Sequence, residues 1–192
     1  MCNALAYIKP GRSKHWTYIK GVLYSDAIYH QGRFFVLDDY SGVLYLDVRE
    51  YSKPKGKLVI NRTARKHPFK AYIVVLSTGK DLHLVEGFLK KKGRPARWVT
   101  SSFKIFKLGF LGGGDSGGNQ QFAKEWVEIN SLGDDALFLG DHNYFLSVTA
   151  SNFPGCQANC VYYNDDVYID TSAPWYPYGP QDMGIYSFVN GS

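Results

Sequence analysis

Apolar and polar positions alternate along most of this chain with the two-residue period of β-strands, and short glycine-bearing turns cut the runs at close intervals. Residues 26–48 read as three strands, DAIYH, RFFVL and VLYLDV, separated by Gln31-Gly32 and by Asp38-Asp39-Tyr40-Ser41-Gly42. Gly allows the positive φ that tight hairpins need, so this is an antiparallel meander. KLVIN at 57–61 adds a fourth strand after the loop Lys53-Pro54-Lys55-Gly56. The pattern recurs with AYIVVL at 71–76, a Ser77-Thr78-Gly79-Lys80 turn, LHLVEGFL at 82–89, FKIFKL at 103–108 and WVEI at 126–129. A looser third round holds ALFL at 136–139, YFLSVT at 144–149, CVYY at 160–163 and GIYSF at 184–188. Nowhere does an apolar 3.6-residue period persist over ten residues or more, so helices are expected to be few and short.

Strands arriving in fours, with groups about 45 to 60 residues apart, are what propeller blades look like in sequence. A sandwich or barrel is the alternative. The 192 residues and 21.7 kDa suit one core or a row of small units sharing one. At about 45 residues per blade the length supplies about four blades at most, so the chain is a very small propeller or part of a larger one. An open ring would expose edge strands and apolar blade faces.

Composition agrees with β structure. Fifteen Tyr and 12 Phe stand beside only 2 Met, and aromatic residues fit a pleated, half-buried surface. With 45% hydrophobic and 20% charged residues the chain is globular, which excludes disordered, coiled-coil and collagen-like classes. No run approaches the roughly 20 apolar residues of a membrane span. The opening MCNALAYIKPGRSK has no signal-peptide pattern, and three Cys do not suggest a disulfide framework. The expected location is intracellular, cytoplasmic and/or nuclear, away from membranes.

Charge is divided along the chain. Up to residue 110 there are 21 Lys and Arg against 7 Asp and Glu, a net of +14, and after it 1 against 10, a net of −9. The densest basic stretches are Arg62, Arg65, Lys66 and Lys70, and then Lys90, Lys91, Lys92, Arg94 and Arg97 beside Trp98. Such clusters bind phosphate backbones or an acidic protein, and Trp98 could stack on a base. The alternative is that they are solvated turn residues between strands.

From Asp26 onward the residues resemble the plant F-box-associated β-propeller family long catalogued as domain of unknown function 295, the KIB-type propellers. The resemblance rests on DAIYHQGRFFVLDDYSGVLYLDV, on FKIFKL, on EWVEINSLGDDALFLGDHNYFLSVTASNFPGCQANCVYYNDD and on the late DMGIYSF. Its most specific part runs from Trp126 to Asp166, with Ser131-Leu132-Gly133-Asp134, Leu137-Phe138-Leu139-Gly140-Asp141, Phe153-Pro154-Gly155-Cys156 and Tyr162-Tyr163. The resemblance implies a propeller that presents a target protein to a cullin-type ubiquitin ligase, joined to an N-terminal helical F-box that docks on a Skp-type adaptor. Residues 1–25 contain no leucine-rich helical segment, so no F-box is seen and the adaptor is not an expected partner. The expected organisation is an N-terminal segment at 1–25, about three to four blades over 26–192, and a Gly-rich loop at 109–118.

Several strings of catalytic or ligand-binding form were weighed. Gly114-Asp115-Ser116-Gly117-Gly118 spells the string around a serine-protease nucleophile, but no histidine has the sequence context that should accept the serine proton. Six of the ten residues from 109 to 118 are glycine, so composition explains the string, and hydrolysis at Ser116 stays a remote alternative. Gly112-x-Gly114-x-x-Gly117 lacks the βαβ context of a dinucleotide site. Cys156 and Cys160 lack the second pair a structural zinc takes, and Asp165, Asp166 and Asp170 lack the turn glycine and terminal Glu of a calcium loop. No catalytic residue, cofactor or metal is therefore expected. Trp175, Tyr176 and Tyr178, interleaved with Pro174, Pro177 and Pro180, either bind a peptide or cover a blade edge. The expectation is an all-β chain, a partial or small β-propeller of four-stranded antiparallel blades. It acts as a non-enzymatic module for an unknown target protein, with Arg94, Arg97, Trp98, Trp175 and Tyr176 as contact candidates. Nucleic-acid or acidic-partner binding by the basic first half is the alternative.

Overall fold

A computed structural model describes residues 5–8, 11, 14–19, 24–38, 42–46, 56–60, 68–93, 97–109, 125–140, 144–165 and 182–191. Among them the chain forms strands and one 3-10 turn at Ala150–Asn152. Two compact units divide it, Met1–His67 with Gly109–Glu125, and Pro68–Leu108 with Trp126–Ser192.

In the first unit, β1 (Leu5–Tyr7) and β2 (Thr17–Ile19) pair antiparallel, so strand pairing begins ahead of the Asp26 expected from sequence. A four-stranded antiparallel meander follows, β3 (Tyr24–His30), β4 (Arg33–Asp38), β5 (Val43–Leu46) and β6 (Gly56–Ile60), in sequence order. Gln31 and Gly32 join β3 to β4 with φ of 46° and 79°, the paired positive values of a type I′ turn whose twist matches its strands. The next turn is closed by Asp38. Its N–H donates to the Gly42 carbonyl at 2.9 Å, and its Oδ1 accepts from the Gly42 N–H at 2.7 Å. A Cβ on residue 42 would lie 2.6 Å from Asp38 Oδ2, so the close approach requires glycine. Phe35 to Asp38 are buried without interruption, which marks β4 as covered on both faces.

The second unit holds two sheets. One is β7 (Lys70–Val75), β8 (Leu82–Lys92), β9 (Arg97–Gly109) and β10 (Glu125–Ile129), in the order β10-β9-β8-β7. The other is β11 (Asp135–Leu139), β12 (Phe145–Thr149), β13 (Cys160–Asp165) and β14 (Asp182–Ser187), in the order β12-β11-β13-β14. They enclose a common core of Tyr72, Val74, Val85, Phe103 and Ile105 from the first sheet against Leu137, Leu139 and Val161 from the second, with Leu132 between strands. The Phe103 ring meets those of Tyr163 and Tyr186 at 5.4 and 5.6 Å.

These three sheets contain the three groups of four strands read from the sequence, and the fold is all-β as expected. One pairing differs in direction. β11 and β13 run parallel, with Ala136 opposite Cys160 and Leu139 opposite Tyr163, while the other pairs of that sheet are antiparallel. β12 takes one side of β11, and the chain then crosses to its other side, the kind of longer connection a parallel pair needs. The crossover turns at Phe153-Pro154-Gly155-Cys156, where the Cys156 N–H donates to the Phe153 carbonyl at 3.0 Å and Gly155 has φ of 86°. Pro ahead of a positive-φ Gly is the pattern of a type II turn.

Candidate interaction surfaces

Asn159 organises the approach to β13. It sits at φ of 58°, a conformation that Asn tolerates better than most residues. Its Oδ1 accepts from the Leu132 N–H at 2.7 Å, its own N–H donates to the Asp135 carbonyl at 2.8 Å, and its carbonyl accepts from the Phe188 N–H at 3.1 Å. Asp135, only 5% exposed, joins the two sheets of this unit. Its carboxylate accepts from the Ser77 N–H at 2.7 Å, the Ser77 hydroxyl at 2.5 Å and the Ser147 hydroxyl at 3.1 Å. A buried carboxylate with three donors is satisfied, so it braces the structure under the surfaces above it.

The first surface is the ribbon at the end of β8 and β9. β7 pairs with β8 only as far as Gly87, and the two longer strands continue past it, with Lys90 opposite Val99, Lys91 opposite Trp98 and Lys92 opposite Arg97. The register shifts between Phe88 and Leu89, the irregularity that lets a strand bend away from its sheet. Lys90, Lys91 and Lys92 are exposed, and Lys91 Nζ stands 5.2 Å from the centre of the half-exposed Trp98 ring. That separation is within cation–π range. The ribbon is anchored where the Thr100 N–H donates to the buried Asp182 carboxylate and the Ser101 hydroxyl donates to the Phe88 carbonyl at 2.9 Å. Trp98 and the backbone of Arg97 thus fall beside the lysines. Arg94, Trp175 and Tyr176 lie outside the described residues, as do Arg62, Arg65, Lys66, the Ser116 loop, Asp166 and Asp170.

The second surface escaped the sequence reading. Leu137, Leu139, Val161 and Tyr163 face the core, so their neighbours Phe138 and Tyr162 turn to the other side of the sheet. Phe138 lies opposite both Leu146 and Tyr162, and Tyr162 opposite Ile185, which sets four apolar side chains in one row across all four strands. The Phe138 and Tyr162 rings stack at 4.6 Å with 11° between their planes. Tyr144 and Met183 flank the row, at 73% and 64% exposure. Together these residues line an open groove of about 570 Å³ that contains no charged side chain. The signal lay in the runs LFL and YFL, where both parities are apolar and neither face is meant for water.

Catalytic groups are placed differently. His83 is buried, with Nδ1 3.1 Å from the Asp81 carbonyl, and burial holds its pKa below the ordinary imidazole value. Cys156 is half-buried and Cys160 buried, both as free thiols. Among the described residues no group of three or more His, Cys, Asp and Glu is placed to hold a metal, and no helix is long and apolar enough to cross a membrane.

Four-stranded sheets packed face on face, with a projecting ribbon and an open apolar face, are the parts of a β-propeller that works by surface contact. The family model described as the KIB1-4 beta-propeller matches residues 1–187, and the chain belongs to that family. The match takes in the first 25 residues as well as the part that resembles the family by eye. Among curated relatives, F-box protein SKIP23 of Arabidopsis thaliana is 23% identical over 92% of this chain and 43% of its own length. F-box protein At2g26160 of the same plant is 25% identical over 81% of this chain and 44% of its own length, and F-box protein At2g17036 is 30% identical over 74% and 35%. The chain therefore spans less than half the length of these relatives. No solved structure matches it.

Proposed function

We propose that this chain is a non-enzymatic, intracellular recognition module that holds a target protein through the β8–β9 ribbon, and that beside an F-box it would present that target for ubiquitination. The observation that carries the reading is the ribbon, which holds Lys90, Lys91 and Lys92 exposed around Trp98 on a base anchored by Asp182. Exposed lysines next to an accessible tryptophan suit an acidic peptide with an apolar residue, since Trp supplies contact area and the ammonium groups supply steering and register. The name F-box protein, shared by the relatives, supports the ligase setting.

A peptide-display selection against the purified chain is expected to return acidic sequences. Trp98→Ala should weaken their binding about 10- to 100-fold, as loss of a central aromatic anchor does. Binders that tolerate both Trp98→Ala and reversal of the three lysine charges would remove the ribbon from the account. The same ribbon favours a second reading, single-stranded nucleic acid stacked on Trp98. That reading predicts affinity that falls steeply with salt, which a mixed protein interface does not share. Hydrolysis at Ser116 would show as labelling of the folded chain by a fluorophosphonate probe, and no labelling is expected.

A further inference from the structure

We infer that the open face of the β11–β14 sheet is a seam that takes a second copy of this chain. Antiparallel sheets with one solvated face ordinarily turn polar residues outward. This one turns out Leu146, Phe138, Tyr162 and Ile185 in a row, with Tyr144 and Met183 beside them, and its groove has no charged side chain to orient a charged peptide or a nucleic acid. A flat apolar sheet face is matched by another flat apolar face at about 10 Å, and the same sheet already makes such a contact on its inner side against β7–β10.

The occupant follows from the number of sheets. The described residues form three four-stranded sheets, whereas closed propellers use about four to eight blades. The 192-residue chain on its own leaves this face open, and a second copy brings the same face to it, giving the self-complementary contact of a twofold dimer. The exposed parts of the six side chains amount to roughly 500 Å² per copy, and roughly 1,000 Å² over a pair is the low end for a specific interface, so micromolar affinity is expected. This inference is independent of the ribbon reading, because no residue is shared between the two surfaces.

Sedimentation velocity of the 192-residue chain between about 1 and 100 µM tests it, a range set by the interface area. The expected result is a monomer that gives way to a discrete dimer as concentration rises. Leu146→Glu and Ile185→Lys should each hold the chain monomeric with its circular dichroism unchanged, since both residues are about half exposed, while Val189→Glu should leave the dimer intact. Should both charged variants fail to fold, Leu146→Cys serves instead, and its alkylation should slow as protein concentration rises. A wild-type monomer throughout would overturn the inference. So would a dimer indifferent to both charged variants, open-ended oligomers of the kind edge strands make, or Leu146→Cys labelling that ignores concentration.

Discussion

Asn159 shows how much of the second unit rests on one side chain. It meets three backbone segments, before β11, within β11 and after β14, from a left-handed conformation. Asn159→Ala removes the bond to the Leu132 N–H and puts a Cβ-bearing residue with no side-chain compensation at positive φ. The expected loss is about 2–3 kcal/mol. Asn159→Gly frees the backbone but still lacks the acceptor, so it should lose roughly half as much. Urea denaturation of the two variants separates these effects, and equal losses would show that backbone conformation plays no part. His83 makes stability depend on pH. Burial lowers its folded pKa from the ordinary 6.5, so the unfolded chain binds its proton first as pH falls. The stabilisation is complete above about pH 6.5 and is lost as pH falls from there toward the lower folded value. The urea midpoint should therefore drop between about pH 7.5 and about pH 5.5, and His83→Gln should flatten that drop.

At the scale of elements, strand identity was legible because alternation and glycine turns are local signals. The pairs Gln31-Gly32 and Pro154-Gly155 fall at turns whose φ values need them. Partner choice and strand length were not local. The parallel pairing of β11 with β13 is settled by which side of β11 is free once β12 has paired, and no residue type encodes that. The ribbon looked like a basic loop because Lys90 to Lys92 interrupt the apolar pattern, yet opposite them stand Val99 and Trp98, good strand formers. Of the contact candidates the sequence offered, only Trp98 has a described side chain, while the groove around Phe138 went unnoticed because its residues are spread over four strands. Gly184 was hidden for a related reason. A Cβ there would lie 2.7 Å from Tyr163 Oη, across the β13–β14 pair. Gly184→Ala should displace the Tyr163 ring from Phe103 and destabilise by about 1–3 kcal/mol, whereas Trp98→Ala on the ribbon should change stability by less than about 0.5 kcal/mol. Thermal melts of the two variants would reverse this ranking if the ribbon were part of the core.

At the scale of the molecule, the decisive feature is that the chain forms two compact units and the second has a core of its own. A core that closes within one unit can open without the other, so unfolding need not be a single all-or-none event. Asp135 provides a local handle on this, since the three hydrogen bonds at its carboxylate come from Ser77 and Ser147 of the same unit. Asp135→Ala leaves those donors unsatisfied and should weaken that unit by about 2–4 kcal/mol. In calorimetry the wild-type chain should show two overlapping transitions, and the variant should move only one of them, down by about 5–10 °C. A single transition displaced as a whole would mean that the units unfold together. Because the open face of β11–β14 belongs to the same unit, the transition that Asp135→Ala moves is also the one that should rise with protein concentration, as a dimer's does. A concentration-dependent transition that Asp135→Ala leaves in place would put the seam on the other unit.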